Sequence, residues 1–195
     1  MVTVELKLYT IHELSEDARE VAFESLRRAG WNENHWAHDN FQALKEFMDQ
    51  FSIEFGRGYS SNAYDYNYQY TLDSAILELQ GLRLRTWLVN NYSHLYYVPK
   101  RFVKGRCVRK SKVLLQTYDC PLTGMCIDYE LLNPIELFIA NPNKHTSLED
   151  LLWECTTAWK RSCELEDAYC DSEEYLTEMC DANEILFKES GRIHN

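Results

Sequence analysis

No run of apolar residues in this chain approaches the ~18 needed to cross a bilayer, so no membrane span is expected. The opening Met1-Val2-Thr3-Val4-Glu5 has neither the basic start nor the apolar stretch of a secretion signal, which points to the cytoplasm. With only 7 Gly and 4 Pro, the chain contains no low-complexity tract, and it shows no internal repeat. It also lacks a Gly-rich phosphate loop, a nucleophile elbow and a His-Glu-x-x-His helix. Acids abound, but none is singled out as a general acid or base, so no catalytic residue and no cofactor are expected.

Cysteine number and spacing argue against two further possibilities. Seven is odd and fits no complete disulfide framework, and cytoplasmic cysteines stay reduced. Cys120 and Cys126 enclose five residues, while Cys155, Cys163 and Cys170 fall near one helical face. Neither arrangement is the Cys-x2–4-Cys pair of structural zinc sites. His35 and His38, with Asp39, supply two imidazoles and an acid but no third ligand, so they read as a polar helix face beside Trp36.

What is present describes an ordinary folded protein. A chain of 195 residues suits one domain and buries roughly 70% of its unfolded surface. Apolar residues make up 45% and aromatics 13%, with 13 Tyr and 5 Trp, which argues against disorder.

Periodicity places the elements. Val2, Val4, Leu6 and Leu8 alternate with polar residues, predicting a strand. Ser15 caps a helix through Leu26 that stops at Gly30, and Ala37 to Phe51 forms a second. Period two returns from Ser52 to Leu72, predicting a hairpin with a Gly56–Ser61 turn. Its Tyr64, Tyr66, Tyr68 and Tyr70 share one face, opposite Asp65, Asn67 and Gln69. A third helix runs from Leu82 to Leu95. Residues 120–124 read as a turn, and Asn133-Pro134 as the start of a helix that ends before Asn141-Pro142-Asn143. Ser147 caps a long helix whose buried face is Leu148, Leu151, Leu152, Cys155, Trp159 and Cys163, and Ser172 restarts helix through Cys180. Residues 185–187, a 188–191 turn and Arg192-Ile193 resemble a short final strand. The expected architecture is α+β: a small antiparallel sheet with helices packed on it and an acidic helical C-terminal part. It forms a single domain over 1–195, made of a strand-helix-helix-hairpin-helix part (1–98), a basic loop (99–112) and a helical part (113–195).

The net charge of −11 is unevenly spread. Residues 99–112 hold no acid and seven cations: Lys100, Arg101, Lys104, Arg106, Arg109, Lys110 and Lys112. Residues 149–195 carry 13 acids against 4 Lys and Arg. Segregation of this kind bears on partners rather than on fold.

The segments LYTIHELSEDAREVAFE (8–24), WLVNNY (87–92), RKSKVL (109–114), CPLTGMCIDYELLNPI (120–135) and NEILFKESGRIHN (183–195) resemble a family of small phage, prophage and mobile-element proteins carrying antitoxin-like labels. The family's acidic-acidic-glycine ending is replaced here by Ser190 before Gly191. The resemblance implies an accessory gene of a mobile element, a class that includes inhibitors of host defence such as anti-CRISPR proteins. It implies a partner that is a host protein or ribonucleoprotein complex in the host cytoplasm.

Three surfaces are candidates for contact. Glu164, Glu166, Asp167, Asp171, Glu173, Glu174, Glu178 and Asp181, at helical spacing, imitate a row of phosphates, or else simply form a solvated face. Tyr64, Tyr66, Tyr68 and Tyr70 suit an interface, or cover the core with their hydroxyls in water. The basic segment 100–112, with Tyr96, Tyr97 and Phe102 nearby, suits nucleic acid, or guards an edge strand. The leading expectation is an inhibitor that occludes a nucleic-acid-binding surface. The alternative is a nucleic-acid-binding accessory protein or antitoxin.

Overall fold

The computed structural model describes residues 6–57, 64–92, 94–95, 100–103, 106–109 and 120–194, the 100–109 segments in backbone only. A 3-10 turn (Ile11–Glu13) precedes α1 (Glu16–Arg28), α2 (Ala37–Gln50), β1 (Ile53–Phe55), β2 (Tyr68–Tyr70), α3 (Ser74–Leu77) and α4 (Gly81–Asn91). Then come β3 (Lys100–Val103), β4 (Arg106–Arg109), α5 (Ile127–Ala140), α6 (Leu148–Cys170) and α7 (Glu173–Ala182). β1 pairs antiparallel with β2, Ile53 facing Tyr70 and Phe55 facing Tyr68, and β3 pairs antiparallel with β4. The protein is α+β, with helices packed against a small antiparallel sheet. Among the described residues no helix is long and apolar enough to cross a membrane. By internal contacts the chain groups into two compact units, Met1–His35 with Glu164–Asn195, and Trp36–Cys163.

The first unit is built on α1, α7 and the chain end. Ser15 Oγ accepts the Ala18 amide at 3.3 Å, and Glu16 and Asp17 occupy the first turn, where the helix dipole favours acids. The helix closes at Arg28, with Gly30 at φ +80° just beyond. Ser172 caps α7 through the Tyr175 amide at 3.2 Å. Ile11, Ala22, Phe23, Leu26, Leu176 and Phe187 form the core. The expected N-terminal strand is not present in Leu6–Leu8. Among the described residues pairing begins at Tyr9, which exchanges two backbone bonds with Phe187 at 2.9 and 2.8 Å, while residues 1–5 lie outside the described residues. The expected final strand is likewise reduced to a bridge between Phe187 and Ile193 around a turn at Gly191. Bridges of one pair offer no ladder for a longer strand to join.

The second unit centres on Trp159, fully buried in α6, whose Nε1 donates to the Asn40 carbonyl at 2.8 Å. Around it lie Leu44 and Phe47 of α2, Leu84 and Leu88 of α4, and Leu131 and Ile135 of α5. The helix expected to begin at Pro134 instead begins at Ile127, with Pro134 inside it. Ile127, Leu131, Leu132, Ile135 and Phe138 form one unbroken buried stripe across the proline. That burial outweighs the one backbone bond proline forgoes. The expected hairpin is present, but its connection is longer than Gly56–Ser61. Tyr64 and Tyr66 precede the paired strand, and residues 58–63 lie outside the described residues. The basic stretch forms the β3–β4 pair, with Lys100 opposite Arg109.

Ser147 caps α6 as its sequence predicts. Its Oγ accepts the Asp150 amide at 3.0 Å, while the Asp150 carboxylate accepts the Ser147 amide at 3.0 Å and the hydroxyl at 2.6 Å. Ser147→Ala is expected to cost about 1 kcal/mol by denaturant unfolding at neutral pH. The Ser147 hydroxyl and amide also hold the Asp150 carboxyl below its ordinary value. A depressed folded value makes the cap effective above the unfolded carboxylate range and weakens it as pH falls through the folded value. The difference between variant and wild type should therefore shrink in acid. A difference that is constant with pH would remove Asp150 from the cap.

Candidate functional site

The four tyrosines lie where the hairpin meets α6. In β2, Tyr68 and Tyr70 are half-buried on one side and Gln69 is exposed on the other, as period two requires. Tyr64 meets Trp159 edge-on, with centroids 5.7 Å apart, and Tyr66 tilts against the same ring at 6.1 Å. Tyr66 also packs on Phe55 at 5.0 Å, and Phe55 stacks on Phe41 at 5.9 Å. All four tyrosines therefore pack, partly buried, against the core.

The same four residues line an open cleft of about 580 Å³. Tyr64, Tyr66, Tyr68 and Tyr70 form one wall, together with Asp65 and Asn67. Glu149, Asp150, Trp153, Thr156, Thr157 and Lys160 of α6 form the other. Asp65 was expected opposite the tyrosines. Residues 64–67 lie outside the paired strand, so alternation does not bind them, and Asp65 instead pairs with Lys160. Tyr68 hydrogen-bonds Thr156, and burial is the main cause that pushes its phenol up. Burial first, and then the Glu149 carboxylate, push the Tyr70 phenol up to about 12. Both phenols are neutral at physiological pH.

Sequence reasoning missed the α6 wall. One signal was available, because Trp153 falls off the buried stripe of α6. It is 60% exposed where Trp159 is 0% exposed.

The acidic residues occupy the first unit. Glu164 sits near the end of α6 with Glu166 and Asp167, and Glu173, Glu174, Glu178 and Asp181 follow Asp171 into α7. Several are tied down internally. Asp171 accepts Arg27 Nε at 3.1 Å and Asn32 Nδ2 at 3.0 Å, and Asp167 accepts Asn34 Nδ2 at 2.8 Å. Glu178 accepts the Tyr169 hydroxyl at 2.9 Å, and Asp181 lies 3.0 Å from His12 Nε2. Glu173 and Glu174 are exposed in the first turn of α7. The first unit holds 17 acids and 6 Lys and Arg, a net charge of −11, while the second holds 14 of each and is neutral. The protein's whole net charge thus belongs to one unit.

Of the basic segment, Lys100 and Arg101 fall in β3 and Arg106 and Arg109 in β4, while Lys104, Lys110 and Lys112 lie outside the described residues. The six cysteines described are thiols and not disulfide-bonded, and Cys155, Cys163, Cys170 and Cys180 are buried. Burial pushes the Cys155 thiol well up and the Cys180 thiol up to about 11, which leaves them poor nucleophiles. Among the described residues no group of three or more His, Cys, Asp or Glu side chains is arranged to hold a metal ion.

No protein-family model, curated protein or solved structure matches the chain.

Proposed function

We propose that the protein works by binding, not catalysis, and that its acidic unit meets a basic surface on a protein or ribonucleoprotein that handles nucleic acid. The observation that carries this is the confinement of all −11 charges to the first unit. Residues 162–187 contain nine acids and no Lys or Arg. Carboxylates three and four positions apart on a helix sit ~5–6 Å apart at Cβ, which gives a dense row of like charge. Such a row costs self-repulsion that a cationic partner relieves. By blocking the path of nucleic acid the protein would act as an inhibitor, in keeping with an accessory gene of a mobile element.

Tagged protein captures the partner, which should elute at 1 M salt and be displaced by added duplex DNA or RNA. At that ionic strength the screening length falls to ~3 Å. Replacing Glu173, Glu174 and Glu178 by Gln should weaken capture at least tenfold while leaving the melting temperature within a few degrees, since surface substitutions of this kind cost little. A captured partner indifferent to salt, to nucleic acid and to these substitutions would remove the proposal.

A second reading has one observation behind it. The β3–β4 register sets Lys100 directly opposite Arg109. Like charges in register destabilise a strand pair, and an anion relieves them. If this pair serves nucleic acid, replacing Lys100, Arg101, Arg106 and Arg109 by Ala should abolish a gel shift seen at low salt. No shift by the wild-type protein disposes of this reading.

A further inference from the structure

The cleft between β2 and α6 joins two features, an aromatic lining and an excess of carboxylates. Its lining is aromatic, with Tyr68, Tyr70 and Trp153 among the lining residues, and Trp153 is 60% exposed although a large indole is normally covered. Its charge is negative. Glu149 and Asp150 stand on the α6 wall, and the cation of the lining, Lys160, is ion-paired with Asp65 of the opposite wall. Two carboxylates thus exceed what the lining itself neutralises. The negative faces of aromatic rings attract a cation within about 6 Å, and nearby carboxylates add to that attraction. The same carboxylates repel phosphate, so a nucleotide stacking on the rings is disfavoured. The raised Tyr70 phenol agrees, since the Glu149 and Asp150 charges contribute to it after burial.

We propose that this cleft binds an alkylammonium group, the head of a lysine-type side chain, free or N-methylated, on a basic partner. The inference rests on the reading of the protein as a binder of a basic surface, and names the chemical group that its aromatic side takes.

Calorimetric titration of the full chain with N-acetyl-lysine amide and N-acetyl-trimethyllysine amide tests it. The tighter of the two should bind at least tenfold better than the trimethyllysine analogue whose ammonium is replaced by a neutral tert-butyl carbon. Trp153→Leu and Glu149→Gln should each weaken that binding about tenfold with the melting temperature unchanged, because both side chains are exposed. The Gln triple at 173, 174 and 178 should leave it intact, so this site and the acidic face fail separately. Equal binding of the neutral analogue, or no saturation by either lysine derivative, overturns the proposal. Equal or tighter binding of AMP overturns it too, in favour of a nucleobase. Equal or tighter binding of choline overturns the assignment to a side chain.

Discussion

Gly191→Ala is expected to unfold the first unit. At this position φ is +79°, and a Cβ would overlap the Ala18 carbonyl oxygen, lying 2.9 Å from its carbon and 3.1 Å from the Ala22 nitrogen. All of these atoms are backbone of α1, so no side chain can swing aside. The final turn must move away instead, taking with it the Lys188 amide bond to the Arg192 carbonyl and the Phe187–Ile193 bridge. Phe187 is fully buried and holds Tyr9 through two backbone bonds, so the damage spreads through the unit's core. The loss should exceed ~4 kcal/mol, beyond what a single substitution usually costs. Gly124→Ala is the matched control. Its φ is +87°, but among the described residues nothing lies within 4 Å of the added Cβ, so the backbone cost of ~1–3 kcal/mol applies. Denaturant unfolding of both variants, followed by amide exchange at Leu26 and Leu176, separates clash from conformation. Equal losses for the two would refute the close approach of turn and helix.

Asp128→Ala should strongly destabilise the second unit. Asp128 is fully buried in the first turn of α5 and accepts four hydrogen bonds from one loop. The amides of Leu122, Thr123 and Gly124 reach its Oδ2 at 2.9, 2.7 and 3.1 Å, and Thr123 Oγ1 reaches Oδ1 at 2.7 Å. One carboxylate therefore ties the 120–125 turn to α5. Bonds to a charged acceptor are worth more than neutral ones, and removing the acceptor leaves three backbone donors in want of partners. A loss of about 3–5 kcal/mol is expected, with Asp128→Asn between variant and wild type. The amides of residues 122–124 should lose protection from exchange in step. Unchanged protection in Asp128→Ala would mean that the turn holds itself.

Helix ends were the most legible part of the fold, because capping is local chemistry. Ser15, Ser147 and Ser172 each cap as their neighbours in sequence imply, and Gly30 follows α1 in the left-handed region. The buried stripe of α6 is also as the 3.6-residue period reads it. Pro134 misled because a local breaker was weighed without the stripe that packs on both sides of it. The alternation around Leu6 and Leu8 misled because a strand needs a partner, and the chain end supplies Tyr9 with a single bridge. Among the candidate surfaces, the tyrosines and the acids were visible by type and spacing. The cleft was not, because half of it comes from α6, some eighty residues further along the chain.

By itself the sequence determined where helices begin and end, which faces of them are apolar and how charge is distributed along the chain, since each depends on neighbours within a few positions. Only the tertiary structure decided that the first 35 residues share a unit with the last 32, which gathers the whole net charge there. The same holds for the cleft, where Trp153 and Glu149 come to face Tyr68 and Tyr70. Contacts between residues distant in sequence are set by what the whole chain can bury together, and no local pattern encodes that sum.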